Sequence, residues 1–203
     1  DALPFGWGEL SSELLIKATG TSNVQVSGTS MLSGLDLSGG FLGQDQARFE
    51  QVDLDFTVQN DADRGWKLSK LQFSSDIGMV ELSGNFRSSR FMLNGTGTID
   101  LALVLGRFPH LFNVRPDISL ESGVMDFTFD LDRDGRQFTG VADAAVDGLG
   151  GMQRGKPFVW KNPMHLNIDA ALNDGEPEIR KVVLAAPFFD LRGKGDFKDF
   201  TLE

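Results

Sequence analysis

The sequence predicts an all-β fold, one long curved antiparallel sheet with a single short helical interruption. Three observations carry this. Apolar and polar residues alternate over segment after segment, the mark of half-buried strands. The segments are separated by short turns in a chain with 24 Gly and only 7 Pro among 203 residues, as in a meander. The stretch Leu68 to Phe86, LSKLQFSSDIGMVELSGNF, also recurs: at an offset of 111 residues, Val182, Leu184, Phe188, Leu191, Gly195 and Phe197 stand where Leu71, Phe73, Ile77, Val80, Gly84 and Phe86 stand in the first copy.

Taken in order, Asp1 to Glu13 contains Pro4-Phe5-Gly6-Trp7-Gly8 and reads as an irregular lead-in. Leu14 to Ala18, Val24 to Ser27 and Met31 to Leu37 read as short strands softened by Gly20, Gly28, Gly34 and Gly39-Gly40. Val52, Leu54, Phe56 and Val58 point one way while Asp53, Asp55 and Thr57 point the other, giving one dry and one wet face. Asn60 to Gly65 reads as a loop before the strand-turn-strand unit. Alternation resumes at Phe91, Leu93, Gly95, Gly97, Ile99 and Leu101.

Asp100 to Phe112 breaks the rhythm. Its Leu101, Val104, Leu105, Phe108, Leu111 and Phe112 follow helical spacing, and Gly106 and Pro109 limit the helix to a turn or two. A short helical plug near residues 100–112, lying over one end of the sheet, is expected. Strands return at Ile118/Leu120 and at Met125, Phe127, Phe129 and Leu131, with Asp126, Thr128, Asp130 and Asp132 facing away. Asp134-Gly135 predicts a type I′ hairpin. Phe138, Gly140, Ala142, Ala144 and Val146 form the return strand. Gly148 to Gly155 reads as a flexible connection, and Phe158 to Trp160 as the start of another strand. Met164, Leu166, Ile168, Ala170 and Leu172 then lead into the second copy. The repeat extends beyond the hairpin, with Phe56/Val58 matched to Leu166/Ile168, so residues 56–86 and 166–197 are two related half-sheets within one domain of residues 1–203.

A formal net charge of -10 provides no basic footprint for nucleic acid. Absence of Cys removes disulfides, thiolate metal sites and a cysteine nucleophile. There is no long apolar run of membrane-spanning length and no signal-peptide pattern at Asp1. The chain starts without Met and ends in Leu202-Glu203, a pair resembling a cloning scar, so a piece of a longer protein is expected.

Chemistry-bearing motifs are sparse. His110 falls in the expected plug and His165 on the polar face of a strand, neither with a partner pattern. Asp130-Leu131-Asp132-Arg133-Asp134-Gly135 opens like a calcium loop, but Val141 stands where the bidentate Glu belongs, which favours a plain hairpin. Asp53/Asp55 and Asp130/Asp132 share faces as paired carboxylates do in glycosidases, yet on the solvent side, where nothing raises one pKa. No enzymatic activity, metal or cofactor is expected.

The apolar faces remain. They either form the core of a closed sandwich or line an open trough for acyl chains. The trough reading selects Leu54, Phe56, Val58, Val80, Leu82, Phe86, Phe127, Phe129, Leu131, Leu166 and Ile168.

Leu82-Ser83-Gly84-Asn85-Phe86 and Gly193-Lys194-Gly195-Asp196-Phe197 close the two repeat units. Gly95-Thr96-Gly97-Thr98-Ile99-Asp100-Leu101 runs into the short helix, and Leu120-Glu121-Ser122-Gly123-Val124-Met125-Asp126-Phe127 begins a hairpin. In these segments, across most of residues 50–200, the chain resembles the AsmA-like superfamily of bacterial envelope proteins, which includes the TamB-like and YhdP-like bridge proteins. The resemblance implies a taco-shaped sheet in the periplasm of a Gram-negative bacterium. Its hydrophobic groove would carry phospholipid acyl chains between the membranes in outer-membrane assembly or maintenance, with inner- and outer-membrane proteins as partners. The family has no catalytic residues. Members are longer and are anchored in the inner membrane by an N-terminal helix; neither feature is present in this chain, and an anchor is expected in the full-length protein.

Overall fold

The alternating segments form one long antiparallel sheet that is not closed into a barrel. The computed structural model describes residues 5–19, 23–61, 65–173, 176–186, 189–196 and 201–202. Its strands are β1 (Phe5–Thr19), β2 (Asn23–Ser38), β3 (Gln46–Asp61), β4 (Gly65–Ser75), β5 (Gly78–Arg87) and β6 (Arg90–Asp100), followed by helix α1 (Leu101–Arg107). After the helix come β7 (Ile118–Asp134), β8 (Gln137–Gln153), β9 (Lys156–Val159), β10 (Met164–Asn173), β11 (Glu176–Ala186), β12 (Phe189–Asp196) and β13 (Thr201–Leu202). Strand order follows the chain from β1 to β8 and then β10 to β13, with β9 paired to the end of β8. Pro4, Gly20, residues 62–64 of the Asn60 to Gly65 loop, Gly175, Phe188 and Phe197 lie outside the described residues.

Four local expectations are corrected. The lead-in is strand from Phe5, because β1 gains its ladder from β2 despite Gly6 and Gly8. Val24 to Ser27 and Met31 to Leu37 are parts of one strand, β2, whose Gly28 lies under the Phe56 ring instead of interrupting the ladder. Gly148 to Gln153 belongs to β8, held by β7 on one side and β9 on the other. The β7–β8 turn centres on Gly135-Arg136; Gly135 has φ 60° while Arg136 stays outside the left-handed region, so the turn is not type I′.

Register gathers the apolar residues on one face. One row across the ladder reads Gly28, Phe56, Leu71, Leu82, Gly95, Phe129, Ala142, Ile168, Val182 and Gly193. The next reads Ser30, Leu54, Phe73, Val80, Gly97, Phe127, Ala144, Leu166, Leu184 and Leu191. Large and small side chains interdigitate in these rows. A Cβ at Gly95 would run into the Phe129 ring and Leu82, and one at Gly97 into Phe127, so the two parallel phenyl rings, 6.5 Å apart, lie across the glycines of β6.

Bulges adjust the phase. One falls between Leu68 and Leu71 in β4 and another between Ile179 and Val182 in β11, positions 111 residues apart. In this register Leu166 and Ile168 take the places of Leu54 and Phe56, two residues from the Phe56/Val58 match read in the sequence. Gly34, at φ 62°, stands where β2 slips a residue against β1.

The helical plug is present, with the helix ending at Arg107 and turns following through Asn113. Asp100 caps it by accepting the Leu103 N–H at 3.0 Å. Phe108 then packs on a buried apolar cluster, Ala47, Phe49 and Val52, together with Leu32, Leu35, Leu37 and Ile77. Elsewhere the apolar face has no second layer among the described elements. The surface area of 13481 Å² compares with about 9,400 Å² for a compact chain of this mass.

Candidate functional site

All eleven predicted trough residues lie on the one apolar face. Leu54, Val80, Phe127 and Leu166 share one row, and Phe56, Leu82, Phe129 and Ile168 share another. Val58 and Leu131 belong to the next row outward, and Phe86 to the outermost. All are half-buried except Phe86, which is 37% exposed; the neighbouring Phe73 is 39% exposed. Each is shielded by neighbours on adjacent strands and not by an opposing sheet, which leaves a surface continuous over many strands.

The two ends of this face differ. At one end, α1 and the turns after it are fastened by charge. The Arg107 guanidinium forks onto the Asp76 carboxylate, with one hydrogen bond at 2.9 Å, and lies 5.0 Å over the Phe49 ring. The Arg107 hydrogen bonds hold Asp76 below the usual carboxylate range. Asp45 sits after the 3₁₀ turn Gly40–Leu42 with its carboxylate 1% exposed. It accepts the His110 N–H at 3.1 Å and the Leu111 N–H at 2.7 Å, and His110 Nδ1 lies 2.7 Å away. Burial pushes the Asp45 pKa up, but those two N–H donors and the His110 ring together outweigh it, so the net shift is downward. The sequence showed no partner for His110 because Asp45 lies 65 residues away.

At the other end no described element covers the face, and it is aromatic. Trp66, Phe86, Phe91, Arg133 and Phe138 are successive members of one row across β4 to β8. Phe86 and Phe91 stack at 6.2 Å, and Phe91 and Phe138 lie 6.1 Å apart. Of these, only Phe86 was selected from sequence. The signal was present in Phe86-Arg87-Ser88-Ser89-Arg90-Phe91, a palindrome around a two-residue turn that puts both rings side by side.

The opposite face is polar, and several of its acids are engaged. Asp55 accepts from Lys70 at 2.8 Å, a hydrogen bond that raises the lysine pKa. Asp53 accepts from Gln51 at 2.8 Å, Asp132 from Arg90 at 3.2 Å, and Asp130 from Asn94. A depression of about 320 Å³ on this face is lined in part by His165, Asp126 and Asp143, whose carboxylates accept from Thr98 at 2.5 Å and Asn167 at 2.7 Å respectively. Among the described residues no group of three or more His, Asp or Glu is placed to hold a metal ion, and no helix is long and apolar enough to cross a membrane. Comparison with protein-family models, curated proteins and solved structures finds no significant match.

Proposed function

We propose that this chain is a lipid-handling segment whose apolar sheet face holds phospholipid acyl chains, working by sliding contact and without covalent chemistry. The observation that supports the reading is the continuity of the apolar rows across β2 to β12, with no second layer over them among the described elements away from α1. Each methylene moved from water onto such a face gains about 0.8 kcal/mol when fully covered. An acyl chain therefore supplies binding energy without a polar site. The periplasmic setting, the role in outer-membrane assembly or maintenance and the membrane-protein partners rest on the resemblance to the AsmA-like superfamily.

The test is mass spectrometry of lipid extracted from the purified chain, combined with photo-crosslinking from probes at Phe56 and Phe129. Lipid adducts at both positions are expected, with loss of bound lipid in Phe129→Asp while the strand content stays unchanged. Repeated absence of lipid would sink the reading.

A second reading, a non-catalytic protein-binding module, has its own observation. β1 is a 15-residue edge strand paired only to β2 among the described residues, and Leu10, Leu14 and Ile16 on it are exposed. Such an edge accepts an added strand. Crosslinks to protein instead of lipid would favour it.

A further inference from the structure

The aromatic end of the apolar face combines rings with arginine. A depression of about 320 Å³ there is lined in part by Trp66, Phe86, Phe91, Arg87, Arg90 and Arg133. Among the described residues, Arg133 is the only ionisable side chain in the outermost row from Val24 to Pro177 and in the rows through Leu82 and Val80. Asp132 and Asp134 flank it in sequence, but alternation turns them to the polar face, where Asp132 accepts from Arg90 at 3.2 Å. Arg133 donates its Nε–H to the Gly135 carbonyl at 3.0 Å, which fixes the side chain and leaves the terminal nitrogens of the fork. Arg87 pairs with Arg90 in the next row, which alternation turns to the polar face, so it borders the hollow from the rim of the sheet, where its side chain makes no hydrogen bond or ion pair with another described residue. Two guanidinium groups thus border one aromatic-walled hollow in a protein of net charge -10.

We propose that this hollow is the headgroup site of an anionic glycerophospholipid, Arg133 and Arg87 binding its phosphate while the acyl chains run from Phe86 and Phe91 toward α1. The assignment rests on the lipid-handling reading and adds to it a headgroup class and a direction. Guanidinium matches a phosphate with paired N–H donors, and aromatic rings suit the boundary between apolar chain and polar head. The length fits as well. Phe91 and Ile99 lie in outer and inner rows of β6, and the eight-residue rise between them is about 27 Å, against about 15 Å for the hydrocarbon depth of one bilayer leaflet. An acyl chain laid along the strands fits within the face.

The experiment compares binding of three probes to the purified chain by displacement of a fluorescent fatty acid: phosphatidylglycerol, diacylglycerol with the same chains, and inorganic phosphate. Phosphatidylglycerol is expected to bind about tenfold tighter than diacylglycerol. Arg133→Gln with Arg87→Gln should bring the two within about twofold and leave diacylglycerol binding unchanged, with circular dichroism confirming the fold. Arg133→Lys with Arg87→Lys should keep part of the preference. Equal affinity of the two lipids in the unaltered protein would overturn the headgroup site and leave the acyl-chain reading standing. Displacement by inorganic phosphate alone would overturn the assignment to a lipid. Failure of both lipids to bind would remove the acyl-chain reading, and the headgroup site with it.

Discussion

Asp45 shows how a single carboxylate can decide the shape of one end of the molecule. Its oxygens take the His110 and Leu111 N–H groups, so the turns after α1 are tied to the loop before β3. Its folded-state pKa is lowered, so its contribution to stability is fully present above the unfolded carboxylate value of about 3.9 and is lost as pH falls through the folded value. Asp76 beside Arg107 is shifted in the same direction and adds to the same acid window. Because the Asp76 carboxylate is 41% exposed, solvent screening limits that pair to below about 1 kcal/mol. Acid unfolding followed by circular dichroism should therefore begin below pH ~4, and Asp45→Ala should be less stable at neutral pH with a shallower acid dependence. An unchanged acid limb in the variant would show that the tie carries no stability. No sequence pattern points to this tie, because it joins residues far apart in the chain, and neither Asp45 nor His110 falls in a recognisable motif.

At the scale of single elements, legibility followed burial. Strands with one clean apolar face, such as β3 and β7, were readable residue by residue, because side-chain period and burial coincide there. β1 was readable only from Leu14 to Ala18. Pro4, Gly6 and Gly8 ahead of that stretch suggested irregular chain, and the ladder there comes from a partner strand that a local reading cannot see. The end of β8 failed for a related reason: Gly150 and Gly151 look flexible locally, but Gly151 is packed against the Ser119 carbonyl and leaves no room for a Cβ. The plug was legible as a change from period two to helical spacing, whereas its ion pair to Asp76 was not. The apolar face was legible through alternation; its aromatic rim was missed because it needs the cross-strand register. β1 also carries a prediction of its own. Ile16 is 60% exposed on an edge whose outer side pairs with no described strand, so concentrated protein should self-associate through it. Ile16→Lys should lower the associated fraction in sedimentation measurements; identical sedimentation of variant and parent would discount the edge.

For the molecule as a whole, the large surface area reflects a sheet with one layer, in which most side chains find neighbours along the ladder and few find them across a core. Among the described residues the buried apolar cluster sits beside the plug. The stability of the remainder comes from strand pairing and from side chains packed along the rows. Folding cannot hinge on one central nucleus of large buried side chains, since none of the described residues provides it.

Strand contacts are made chiefly with sheet neighbours, and α1 supplies the main exceptions. The molecule is therefore close to a one-dimensional array, in which unfolding is a matter of fraying from the two ends, as in repeat proteins. Amide hydrogen exchange should form a gradient, fastest in β1 and β12 and slowest in β6 to β8, where pairing continues on both sides. Uniform protection across the strands would mean global cooperativity and would rule this out. If the gradient holds, the two margins can peel open and reseal while the middle stays zipped, allowing neighbouring surfaces to be exchanged without unfolding the protein.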